Sequence, residues 1–94
     1  MKTRRIEKTI NWNKRLEESI SILEGGEAYA MNTYRMLDRE GRCKFMNDIR
    51  CINDAPKKSV VWKIAKERLG DFEEMVYSVY NYAKLINKIE SARA

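Results

Sequence analysis

Histidine is absent from this 94-residue chain, proline occurs once, and the only two cysteines are Cys43 and Cys51. Each shortage excludes a class of function. Without imidazole there is no Ser-His or Cys-His couple, and neither a phosphate-cradling glycine loop nor a GxSxG elbow is present. A zinc site takes four ligands, whereas one chain offers at most two thiolates and no imidazole, so neither a metal nor a cofactor is expected. On a helix the two cysteines stand about 12 Å apart, beyond the ~7 Å that a disulfide spans, which predicts free thiols. No apolar run approaches the ~18 residues of a membrane span. Residues 1–9 alternate basic and polar side chains around Ile6 and lack the apolar stretch of a secretory signal, so the expected compartment is the cytoplasm.

What is present suits a folded chain. Apolar residues make up 44% and charged residues 35%, enough to build one small core and keep its surface solvated. The expectation is one helical domain over 1–94. The net charge of +5 is unevenly spread. Lys2, Arg4, Arg5, Lys8, Lys14 and Arg15 precede an acidic stretch (Glu17, Glu18, Glu24, Glu27), and Lys57, Lys58, Lys63, Lys66 and Arg68 form a second basic block. Solvated helix faces account for such lysines; if the fold joins the two blocks, they make a patch for phosphates.

The strongest periodicity lies between Asp71 and Ile89. Phe72, Met75, Val79, Tyr82, Ile86 and Ile89 recur at alternating spacings of three and four, the seam of a helix packed on other helices. A second reading of the same segment turns Phe72, Val76, Val79, Tyr82, Ala83 and Ile86 inward. Gly70 is placed to close the preceding helix, Asp71 to cap the new one and Glu74 to fold back as its capping-box partner. The tail 90–94 has no apolar anchor and is expected to fray.

The fold class this predicts is all-α: a compact bundle of four to five helices with a long C-terminal one. A first helix capped by Thr3 would bury Ile6, Ile10, Trp12, Leu16, Ile20 and Leu23. Asn11 and Asn13 are poor helix interior, so the alternative is a mobile basic arm at 1–10 with the helix starting near Asn13. Gly25 and Gly26 end it. A second helix is expected over 27–40, with Tyr29, Ala30, Thr33, Tyr34, Met36 and Leu37 on one face and Gly41 as its break. Phe45, Ile49 and Ile52 have helical spacing, while Asn47-Asp48 suits the turn of a small hairpin over 42–52; both readings stay open. Pro56 opens a helix that runs to Leu69 with Val61, Trp62, Ile64, Ala65 and Leu69 inward, joined by Gly70 in a helical hairpin.

Three functional readings follow. The adjacent pairs Glu17-Glu18 and Glu73-Glu74 point about 100° apart on a helix and serve poorly as acid and base, and so small a domain has little room for a pocket, so no enzyme is expected. The two helices around Gly70 also suggest a helix-turn-helix, but the groove-facing turn would carry Asp71, Glu73 and Glu74 against phosphate. Five tyrosines and two tryptophans favour a contact surface. Tyr77 projects away from the seam with Asn81, Lys84 and Lys88, and Ile22, Val60 and Leu85 also fall off the core stripes of their helices. The first reading is therefore a non-catalytic binding protein, a small basic regulator or inhibitor acting by protein–protein contact through Tyr77, Asn81, Lys84, Leu85 and Lys88 on a larger partner, one that handles nucleic acid. In style the chain is similar to small phage or mobile-element regulators and inhibitors, a similarity carried by no motif. The alternative is direct DNA or RNA binding through Arg4, Arg5, Lys57, Lys58, Lys63 and Lys66. The third reading is a structural homodimer that shares the Val79 and Tyr82 seam.

Overall fold

The computed structural model describes residues 11–93. Among these residues are five helices: α1 (Trp12–Glu24), α2 (Glu27–Met36), α3 (Arg39–Asn53), α4 (Val60–Leu69) and α5 (Glu73–Arg93). The class is all-α with a long last helix, and no strand occurs among the described residues. The expected arm at 1–10, with Arg4, Arg5, Ile6 and Ile10, lies outside them.

Capping chemistry explains where each helix begins. The Asn11 side chain accepts from the Lys14 N–H, so the asparagine that looked like poor interior is the start of α1. Gly25 closes α1, and Gly26 follows at φ 104°, a conformation open mainly to glycine. Residues 42–52 are helical, which removes the hairpin reading. The break expected at Gly41 falls instead at Leu37 and Asp38: Leu37 is extended, and the Asp38 carboxylate accepts from the Gly41 N–H at 2.8 Å. Gly41 thus sits in the first turn of α3, with the cap aspartate three residues upstream.

Pro56 does not open α4. It leads a turn in which the Ser59 N–H bonds the Pro56 carbonyl at 2.9 Å, and the Ser59 hydroxyl then accepts from the Trp62 N–H at 3.1 Å as the N-cap. Ser59→Ala is expected to lower stability by about 1 kcal/mol, measured by urea unfolding. Asp71 does not cap α5 either. Its carboxylate lies 3.0 Å from Lys66 Nζ, and the helix begins where the Phe72 carbonyl accepts from the Val76 N–H at 2.8 Å. Buried Phe72 therefore anchors the entry to α5, and no capping box forms with Asp71 as its cap.

One core serves all five helices: Leu16, Ile20 and Leu23 from α1, Ala30 and Tyr34 from α2, Phe45, Ile49 and Ile52 from α3, Val61, Ile64 and Ala65 from α4, and Val76, Val79 and Ala83 from α5, with Phe72 at the joint. α1 packs on α2, α3 and α4; α5 packs on α2 and α3. The expected α4–α5 hairpin is absent. The two helices share little beyond their joint, where the Trp62 ring meets Phe72 edge-on at 6.0 Å, because the positive φ of Gly70 (72°) turns the chain onto a different part of the body.

Two other expectations change. Tyr29 and Met36 are exposed, since only Ala30 and Tyr34 of α2 reach the core, whereas Ile22 packs partly against it. Of the two seams read for α5, the structure takes the one through Val76, Val79 and Ala83, flanked by half-buried Met75, Tyr82 and Ile86, and Ile89 is largely outside. Val79 is spent inside the chain, so a homodimer sharing Val79 has no basis. α5 stays helical to Arg93 rather than ending at 90, and Glu90 is tied to Arg42.

Arg42 fastens three helices together. Its Nε donates to the Tyr34 carbonyl at 3.2 Å and its Nη2 to the Arg35 carbonyl at 2.8 Å, satisfying the open end of α2. The guanidinium also pairs with Glu90 and lies 5.1 Å from the centre of the Tyr34 ring. The Tyr34 hydroxyl donates to Asn87 Oδ1 at 2.5 Å, so α2 is held to α5 by a polar bond as well as by packing. Burial pushes that hydroxyl above its ordinary pKa, against opposing pulls from Asn87 and Arg42.

Candidate interaction surface

Because α5 spends Val76, Val79 and Ala83 on the core, its opposite side faces outward. There Tyr77 is 58% exposed and Leu85 53%, and Asn81, Lys84 and Lys88 are exposed with them. All five residues named from the sequence as a partner surface thus lie on one continuous strip of one rigid helix. Tyr77 also borders a cleft of about 310 Å³ between the end of α3 and the start of α5, shared with Asn53, Phe72, Glu73 and Glu74. Lys84 holds its ammonium 5.0 Å from the Tyr80 ring, at the edge of the strip.

At the far end of the same pair of helices is a larger open cleft of about 620 Å³, bordered by Arg39, Cys43, Met46, Asn47, Asn87 and Ser91. Its chemistry is mixed. Arg42 and Glu90, which also face it, neutralise each other, and Arg39 takes part in no ion pair among the described residues. Cys43 is exposed and Cys51 half-buried, and both are free thiols. Among the described residues no group of three or more His, Cys, Asp or Glu is placed to hold a metal ion.

The basic set is less coherent. Lys57 and Lys58 are exposed in the turn before α4, and Lys63 on α4 itself is exposed. Lys66 is drawn to Asp71 and to the Trp62 ring at 5.7 Å. Arg4 and Arg5 fall outside the described residues.

Two charged clusters escaped the sequence reading, and both join α1 to another helix. Asp48 is fully buried: the Ser19 hydroxyl donates to its Oδ2 at 2.7 Å, Lys44 Nζ lies 3.0 Å from the same oxygen, and Arg15 Nη2 is 3.6 Å from Oδ1. Oδ1 has no hydrogen-bond partner among the described residues. Lys44 stood one helical turn before Asp48 in the sequence, the only local signal of the cluster; Arg15 and Ser19 come from a distant helix.

Arg68 forms the second cluster, reaching from α4 to Glu17 and Glu24 on α1 at 2.9 Å each. Hydrogen bonds from its guanidinium lower the pKa of both carboxylates from the ordinary 4.5. A carboxylate whose pKa is lowered by folding adds stability above its unfolded pKa and loses it as pH falls through the folded value. The melting temperature is therefore expected to fall between about pH 5 and about pH 3, and Arg68→Ala is expected to flatten that fall; melts across this range at low salt check it.

No protein-family model, curated protein or solved structure matches this chain. No helix among the described residues is long and apolar enough to cross a membrane.

Proposed function

We propose that this chain is a non-catalytic binding protein, a small regulator or inhibitor that covers a surface of a larger protein through the outer face of α5. The observation that carries the reading is the joint exposure of Tyr77, Asn81, Lys84, Leu85 and Lys88 on a helix whose other side is fixed in the core. Tyrosine supplies a large, stiff apolar area with a polar end, and the lysines beside it favour an acidic target. The strip itself asks for an acidic groove on the partner; machinery handling nucleic acid is proposed as the partner class on the chain's small, basic, helical build.

The test uses wild type and Tyr77→Ala as paired baits. The variant is expected to keep its helical circular dichroism and to lose about thirtyfold in affinity for whatever protein the wild type retains. Unchanged affinity removes the assignment of Tyr77.

Direct nucleic-acid binding is the second reading, favoured by the exposure of Lys57, Lys58 and Lys63. It requires affinity for random duplex DNA or single-stranded RNA that falls steeply with salt, because neutralised phosphates release counterions. A flat salt response, or no binding by a well-folded protein, rejects it.

A further inference from the structure

We infer that the outer face of α5 pairs with the same face of a second copy of this chain, antiparallel, about a two-fold axis at Asn81. The inference rests on reading that face as a docking surface and identifies an occupant for it. The residues that carry it are Glu74, Tyr77, Asn81, Leu85 and Lys88, all exposed. They are spaced three, four, four and three apart, an order that reads the same in both directions.

Laid against a reversed copy, Glu74 falls opposite Lys88, Tyr77 opposite Leu85, and Asn81 opposite itself. A two-fold contact repeats every pairing, so this one strip supplies two opposite-charge pairs flanking two apolar pairs. A parallel copy would set Glu74 on Glu74 and Lys88 on Lys88, and like charges would separate it. Tyr77, Asn81 and Leu85 form a single ridge at every fourth residue. An amide on the axis is both donor and acceptor, so the two Asn81 side chains can bond each other, and a polar residue at the centre of a helix contact fixes its register.

Among the described residues neither Glu74 nor Lys88 takes part in an ion pair. A contact made by one helix from each copy lies at the small end of specific interfaces, so the dimer is reversible, with micromolar affinity. Pairing covers Tyr77, which makes self-association a control on the docking face.

Light scattering and sedimentation of the full chain over a concentration series test the pairing. A monomer–dimer equilibrium is expected. Glu74→Lys or Lys88→Glu alone is expected to weaken it about tenfold, and the two together to restore it to within about threefold. In a Cys43→Ser, Cys51→Ser background, Asn81→Cys is expected to form an intermolecular disulfide on oxidation. Tyr77→Cys alone is not, whereas Tyr77→Cys mixed with Leu85→Cys is. A monomer at every concentration overturns the pairing and leaves docking on other proteins to be decided by Tyr77→Ala. A dimer that cross-links through Tyr77→Cys alone, or whose charge reversals do not compensate, overturns the antiparallel register.

Discussion

A chain carrying Val79→Lys is expected to be largely unfolded at room temperature, while Asn81→Lys, two residues away, keeps the native fold. Val79 is completely buried on α5, between Val76 and Ala83 and among the side chains of α2 and α3. A lysine there either carries an unpaired charge into the core or gives up its proton; a shift of three to five pKa units costs about 4 to 5 kcal/mol at pH 7, and the lost packing of Val79 adds to it. A domain of this length holds about 5 to 14 kcal/mol in total, so the substitution consumes most of its stability. Asn81 points to solvent and gives up no such contact. Far-UV circular dichroism and urea unfolding of the two variants separate the core seam from the outer strip. A Val79→Lys protein that folded as a stable monomer would show that the packing described for α5 is wrong.

The second large effect is expected at Asp48. Asp48→Ala should cost about 3 to 5 kcal/mol, because it leaves the Ser19 hydroxyl buried without its acceptor and takes the shared counter-charge from Lys44 and Arg15. The two cations are nearly half exposed, so each can turn to water. That places the value toward the lower end of the range. Replacing both buried partners, Asp48→Leu with Ser19→Ala, is expected to recover most of the loss, since an apolar pair of similar volume carries no desolvation cost. Equilibrium urea unfolding of the single and double variants at neutral pH measures the difference. A loss below about 1 kcal/mol for Asp48→Ala would mean that the cluster contributes little to holding α1 on α3.

These two residues also mark how far the sequence could be read. The helical class, the Gly25-Gly26 boundary and the inward stripe Leu16, Ile20, Leu23 follow from local chemistry: glycine punctuation and a 3.6-residue period act over a few residues and leave a direct trace. The periodicity of α5 was equally visible and allowed two seams, one through Met75, Tyr82 and Ile89 and one through Val76 and Ala83, of which the structure takes the second. Which flank faces inward is decided by where α2 and α3 lie, and no residue of α5 encodes that alone. Gly41 and Pro56 drew attention as the strongest punctuation, but Asp38 and Ser59 set the boundaries by capping the next helix. The outward strip was legible because it is the remainder once a core face is taken, and either reading of the seam leaves Tyr77, Asn81 and Lys88 outside. The Asp48 cluster and the Arg68 clamp were not, since their partners meet across 29 to 51 residues of sequence.

The order in which the helices meet bears on how the chain is made. α1 to α4 find partners among themselves, whereas α2 and α3 each keep a face, that of α2 carrying the Tyr34 hydroxyl, that is closed by the 21-residue α5. During synthesis the chain therefore passes through a stage in which four helices have emerged and a large aromatic and aliphatic surface still waits for its lid. A ribosome that stalls near Gly70 would release a fragment with that surface bare, a natural substrate for chaperones and proteases. Addition of α5 is the step that covers the exposed faces of α2 and α3.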